Sequence, residues 1–93
     1  MKRIKLFSVI AASLKKQGAK KVAIFGSYAK NKQKKNSDID VIVEFKDEKS
    51  LLEIVKIERQ LSELIGIKVD LSTKNSISPY LAESIKKEME VLV

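Results

Sequence analysis

Residues 38 to 45, Asp-Ile-Asp-Val-Ile-Val-Glu-Phe, alternate along their length, and a period of two is the signature of an extended strand. In that conformation Ile39, Val41, Val43 and Phe45 fall on one face, and Asp38, Asp40, Ile42 and Glu44 on the other. An apolar face of this kind has to be covered by a second layer. The two aspartates share the opposite face, at the point where the chain enters the sheet.

The flanking segments can supply that layer. Residues 4 to 17 carry Ile4, Phe7, Ile10, Ala11 and Leu14 at helical spacing, and Lys15-Lys16 ahead of Gly18 reads as a helix end. "KKVAIFG" follows as a short strand that ends at Gly26. Ser50 and Glu53 form a capping box before a helix whose apolar stripe is Leu51, Ile54, Val55, Leu61, Leu64 and Ile65 and whose stop is Gly66. "IKVDLS" gives a third strand centred on Asp70. Ser78 and Pro79 suit the N-cap and first turn of a closing helix carrying Leu81, Ala82, Ile85 and Met89 before the apolar "VLV" end. A helix between strands two and three implies a parallel crossover, while the loop between strands one and two permits antiparallel pairing. The expected fold is α+β: two layers, with a small mixed sheet backed by helices.

Ninety-three residues make a single domain, 1–93, burying roughly 60 to 65% of its unfolded surface, too little for two cores. The chain has neither Cys nor His, which excludes disulfides, thiolate or imidazole metal sites, a Cys nucleophile and a His base. Any metal is held by oxygen, which favours magnesium, manganese or calcium. The formal charge of +7 attracts phosphates, nucleic acid or an acidic protein surface, or simply reflects a solvated Lys-rich exterior. The start, "MKRIKLFSVIAASL", has the basic and apolar parts of a signal peptide, but its helical spacing and helix end favour a retained segment. With no apolar run near the ~20 residues of a membrane span, the expected location is the cytoplasm.

An Asp-x-Asp alone is a weak signal, common in turns and calcium loops, but here a strand follows it and no EF-hand glutamate does. At ~3.3 Å per strand residue, Asp38 and Asp40 lie about 6 to 7 Å apart on one face, so their carboxylates can converge on two metal ions. Asp70, between Val69 and Leu71, would complete a cluster of three carboxylates if its strand lies alongside; otherwise it is a strand-end residue pointing to water. Divalent cations would make such a self-repelling cluster tolerable. Gly26 lets the backbone turn close to a ligand, and Ser27 with the amides at the start of a short helix can hold phosphate oxygens, although a plain turn would use the same two residues. Together the parts describe a nucleoside triphosphate site.

Gly-Ser, ten residues, Asp-x-Asp on a strand, and an Asp between apolar neighbours thirty residues later resemble the minimal nucleotidyltransferase family of the DNA polymerase beta superfamily. The resemblance runs from the leading helix through "VAIFGSYAK", "SDIDVIVEF" and "LLEIVKIERQLSELIGIKVDLST" to "EMEVLV". It implies the polymerase beta-like nucleotidyltransferase fold, with Gly26 and Ser27 on the phosphates, Asp38 and Asp40 on two magnesium ions, and Asp70 sharing one ion and helping to activate the attacking hydroxyl. Where the family often has Arg and then Gly, this chain has Lys30 and Asn31. Lys30 keeps the charge for phosphate contact but loses the planar fork.

The combined reading is a transferase that moves AMP from ATP onto a hydroxyl, with two Mg2+ ions or Mn2+ in their place. The family further implies a partner: a small helical HEPN ribonuclease toxin, with the chain as its type VII-like antitoxin, modifying a tyrosine. The alternatives are a silent antitoxin acting by contact alone, or a transferase acting on RNA or a small molecule. With Phe7, Phe25, Phe45, Tyr28 and Tyr80 as the only aromatics, stacking on nucleic acid is weakly supported.

Overall fold

The computed structural model describes residues 3–30, 32–34, 37–73 and 89–92. The order is α1 (Arg3–Lys16), β1 (Ala19–Phe25), β2 (Ile39–Phe45), α2 (Leu51–Ile65), β3 (Val69–Thr73) and β4 (Glu90–Val91). The expected closing helix around Ser78, Pro79, Leu81, Ala82 and Ile85 lies outside the described residues, as does Asn31. The strands form one sheet in the order β3-β2-β1-β4. β1 and β2 pair antiparallel, β2 and β3 pair parallel across the α2 crossover, and β4 adds antiparallel to β1. The mixed sheet and both strand directions follow the sequence expectation.

β4 is the element the sequence pattern did not disclose. Two residues are too few to show a period, and the "VLV" end reads equally well as the tail of a helix. The strand is held by Ala23↔Val91 and Ile24↔Glu90, with Leu92 N–H donating to the Val22 carbonyl at 2.8 Å.

The core lies between the sheet and the two helices, and it corrects both predicted stripes. On α1 the buried residues are Leu6, Phe7, Ile10 and Leu14, and Ile4 stands exposed because it falls well off the axis of that stripe. On α2 the buried set is Ile54, Ile57, Leu61 and Ile65, a seam of three- and four-residue steps. Leu51, Val55 and Leu64 lie outside that seam and are exposed. From the sheet, Val22, Ile24, Ile39, Val41, Val43, Val69 and Leu71 complete the cluster, and Tyr28 joins it from the loop after β1.

The ends of α2 follow local chemistry. Ser50 Oγ accepts from Glu53 N–H at 3.2 Å and meets Glu53 Oε1 at 3.4 Å. At the other end Gly66 adopts φ 70° and its N–H donates to the Ser62 carbonyl at 2.9 Å, a left-handed stop that residues with a Cβ resist.

Candidate active site

Three strands bring the predicted residues to one end of the sheet. β1 delivers Gly26, which follows Phe25, the register partner of Asp40 on β2. β3 delivers Asp70 directly opposite Asp40, because the parallel register pairs Ile39 with Val69 and Asp40 with Asp70. The alternation that buries Ile39, Val41, Val69 and Leu71 against the helices turns both aspartates to the other face.

Gly26 sits at φ 72°, and a Cβ built on it would collide with Oδ2 of Asp40. The backbone therefore lies directly against the carboxylate. From Gly26 the chain winds through a hydrogen-bonded turn: Lys30 N–H donates to the Gly26 carbonyl at 3.2 Å, and Lys32 N–H to the Ser27 carbonyl at 2.8 Å. This is a turn, not the start of the expected short helix, and the buried Tyr28 ring anchors it in the core. Ser27 is half-buried beside Gly26, whereas Lys30 is exposed.

The electrostatics centre on Asp40. Burial pushes its carboxyl above the ordinary carboxylate range, the charges of Asp70 and then Asp38 push it further, and a hydrogen bond to the Asp70 side chain acts in the same direction. Two carboxyl groups in such contact need a proton or a cation between them. Their hard oxygen donors, with a glycine leaving open backbone alongside, fit a divalent ion such as magnesium.

Asp38 is placed differently from expectation. Its carboxylate lies toward Lys68, with Nζ 3.9 Å from Oδ2, and both side chains are largely exposed. Among the described residues, no three acidic side chains gather closely enough to enclose a metal ion. Asp40 and Asp70 meet, and Asp38 stands to one side. Lys68 was missed by sequence reasoning, although "KVD" mirrors "DID" in period and, one step before the Ile39–Val69 pair, lies across from it.

Two further side chains escaped notice. Ser62 Oγ accepts from Val69 N–H at 2.9 Å, and Glu58 Oε2 accepts from Leu71 N–H at 2.7 Å. Both act at β3, on either side of Asp70. A cavity of about 320 Å³ lined by Val43, Glu44, Phe45, Ile54 and Thr73 opens at the far end of β2, away from the aspartates.

With this geometry in view, comparison with known proteins is decisive: the family model for the nucleotidyltransferase domain matches residues 7–92. The chain belongs to the nucleotidyltransferase domain family. A relative from Methanocaldococcus jannaschii, provisionally named as a protein adenylyltransferase, is 51% identical over 75 residues, covering 81% of each chain. The protein adenylyltransferase MntA of Thermococcus cleftensis is 35% identical over 72 residues, 77% of this chain and 73% of its own. Among solved structures, a toxin–antitoxin complex with AMP-PNP superposes with a TM-score of 0.85 at 25% identity, over 94% of this chain and 72% of the other. In fold alone, the domain also matches a chain from a Shewanella oneidensis complex of tri-AMPylated HEPN toxin and MNT antitoxin. There the TM-score is 0.81 at 20% identity, over 99% of this chain and 72% of that one. These likenesses establish the nucleotidyltransferase fold foreseen from the sequence. Among the described residues, no helix is long and apolar enough to cross a membrane.

Proposed function

We propose that this chain is a magnesium-dependent nucleotidyltransferase that transfers AMP from ATP to a tyrosine or other hydroxyl of a helical HEPN-type toxin, and so serves as that toxin's antitoxin. The observation that carries this reading is the contact of Asp40 with Asp70 beneath the open backbone of Gly26. It is supported by relatives named as protein adenylyltransferases and by structural neighbours from toxin–antitoxin complexes, one of them with AMP-PNP.

The residues divide the work. Gly26 allows the triphosphate to approach the main chain, and the Ser27 hydroxyl donates to a phosphate oxygen. Asp40 and Asp70, with Asp38 once released from Lys68, would hold magnesium, which when bound neutralises phosphate charge and acidifies the acceptor hydroxyl. The acceptor oxygen forms a bond to the α-phosphorus as the bond from that phosphorus to the bridging oxygen breaks. Pyrophosphate leaves, and the hydroxyl proton passes by way of Asp70 to solvent. Lys30, exposed on the rim, offers its charge to the departing phosphates.

The test is direct. Incubated with a helical HEPN-type toxin, ATP and magnesium, the wild-type chain should add the mass of AMP to that protein and suppress its toxicity. The double variant Asp38→Asn, Asp40→Asn should do neither while remaining folded. The alternative is a silent antitoxin that neutralises the toxin by contact alone. Equal suppression by both forms without added mass would establish that reading instead.

A further inference from the structure

Asp70 sits on an edge strand. β3 has β2 on one side, where Ile39 N–H donates to the Lys68 carbonyl at 2.9 Å, and this register leaves the N–H groups of Val69 and Leu71 pointing away from the sheet. A strand held from one side frays and slips, and a slip of one residue would turn Asp70 into the core and replace it with an apolar neighbour.

The outward N–H groups are taken by α2. Ser62 and Glu58 are one helical turn apart, about 6 Å along the axis, and Val69 and Leu71 are two strand residues apart, about 6.6 Å, so the two ladders match in step. Ser62 meets Val69 at 2.9 Å and Glu58 meets Leu71 at 2.7 Å, with Asp70 midway between them. The Ser62 hydroxyl also donates to the Glu58 carbonyl at 2.9 Å, joining the two anchors. A mid-helix serine bonded back in this way does nothing for the helix itself, which directs its purpose to the strand. The Glu58 contact is a charge-assisted bond of the stronger kind.

We propose that Glu58 and Ser62 are positioning residues for Asp70: together they fix the height and register of β3 so that the Asp70 carboxylate stays against Asp40. The inference rests on the reading of Asp40 and Asp70 as an ion-holding pair. The two side chains act on Asp70 through their bonds to Val69 and Leu71.

The experiment measures Mn2+ binding to the whole chain without nucleotide, by electron paramagnetic resonance titration, for Glu58→Ala, Glu58→Gln, Ser62→Ala and Asp70→Asn. Amide exchange at Val69 and Leu71 and the kcat and KM of AMP transfer are followed in parallel. Glu58→Ala should weaken Mn2+ binding by about tenfold, the size expected for a group that orients a ligand, and lower kcat more than it raises KM for ATP. Glu58→Gln keeps an acceptor oxygen and should restore most of the affinity. Glu63→Ala removes a carboxylate of the same helix that pairs with Arg59 on the surface, and should change nothing. Wild-type Mn2+ affinity in Glu58→Ala, with faster exchange and weak binding by Asp70→Asn, would overturn the proposal and leave a purely structural edge cap. Wild-type affinity in Asp70→Asn would overturn the ion-holding reading, and this proposal with it. Should Glu58→Ala not fold, Ser62→Ala removes one anchor only and carries the same comparison.

Discussion

The Cα of Gly26 and the carboxylate of Asp40 are so close that no other side chain fits between them. Gly66 has nearly the same φ, 70° against 72°, but a Cβ there would meet nothing within 4 Å. The pair separates backbone strain from steric contact. Gly66→Ala should cost about 1 kcal/mol in thermal unfolding, the usual penalty for a left-handed residue with a Cβ, and leave AMP transfer intact. Gly26→Ala should show that loss and, in addition, at least about a tenfold fall in transfer as Asp40 is displaced by the clash. Equal activity in both variants would refute the role given to the contact.

The raised pKa of Asp40 sets a stability profile for the metal-free protein. Because the folded state binds this proton more tightly than the unfolded chain, stability from this group is present below the ordinary carboxylate pKa and is lost as pH rises through the raised value. In the presence of a chelator, Asp40→Asn should therefore melt above wild type at neutral pH, and the difference should shrink in acid. A difference independent of pH would contradict the raised value. Magnesium with ATP should reverse the order, since the wild type alone gains the bound ions.

Lys68 competes with any cation for Asp38. The pair is exposed, so Lys68→Met should change folding stability by no more than about 0.5 kcal/mol. The same change should tighten Mn2+ binding at low ionic strength by roughly twofold to fivefold, an advantage that fades as salt screens the charges. If Lys68→Met weakened Mn2+ binding, the lysine would have to support the site in some other way.

Ser27→Ala tests the phosphate-holding turn. Loss of one hydrogen bond to a charged oxygen should weaken ATP binding by about 1.5 to 3 kcal/mol, read by calorimetry, with the melting temperature unchanged. Wild-type affinity would reduce the Gly-Ser pair to a structural turn.

The parts of the site legible in the sequence were those written as short-range pattern. Period-two alternation placed Asp40 on β2 with Asp38 just ahead of the strand, the αβ spacing made β3 parallel, and a glycine at a strand end marked the turn at Gly26. What escaped depends on register between segments far apart in the chain. Lys68 matters because it falls across from Asp38, and Glu58 and Ser62 because one helical turn matches two residues of β3. The stripe on α2 was drawn too wide for a related reason. Hydrophobicity names Leu51, Val55 and Leu64, but only packing against β3 and α1 decides which faces are covered, and these three are not.

The bonds from Ser62 and Glu58 to β3 also bear on how the protein behaves when crowded. An edge strand with free N–H groups is a template on which another extended chain can assemble, and the usual defences are charge, a bulge or a cover. Here two successive outward N–H groups of Val69 and Leu71 already have acceptors, so an arriving strand would find nothing there to accept from. The charged carboxylate of Glu58 stands in its way as well. Sheet growth from copy to copy is thereby disfavoured at the edge of the molecule that carries Asp70.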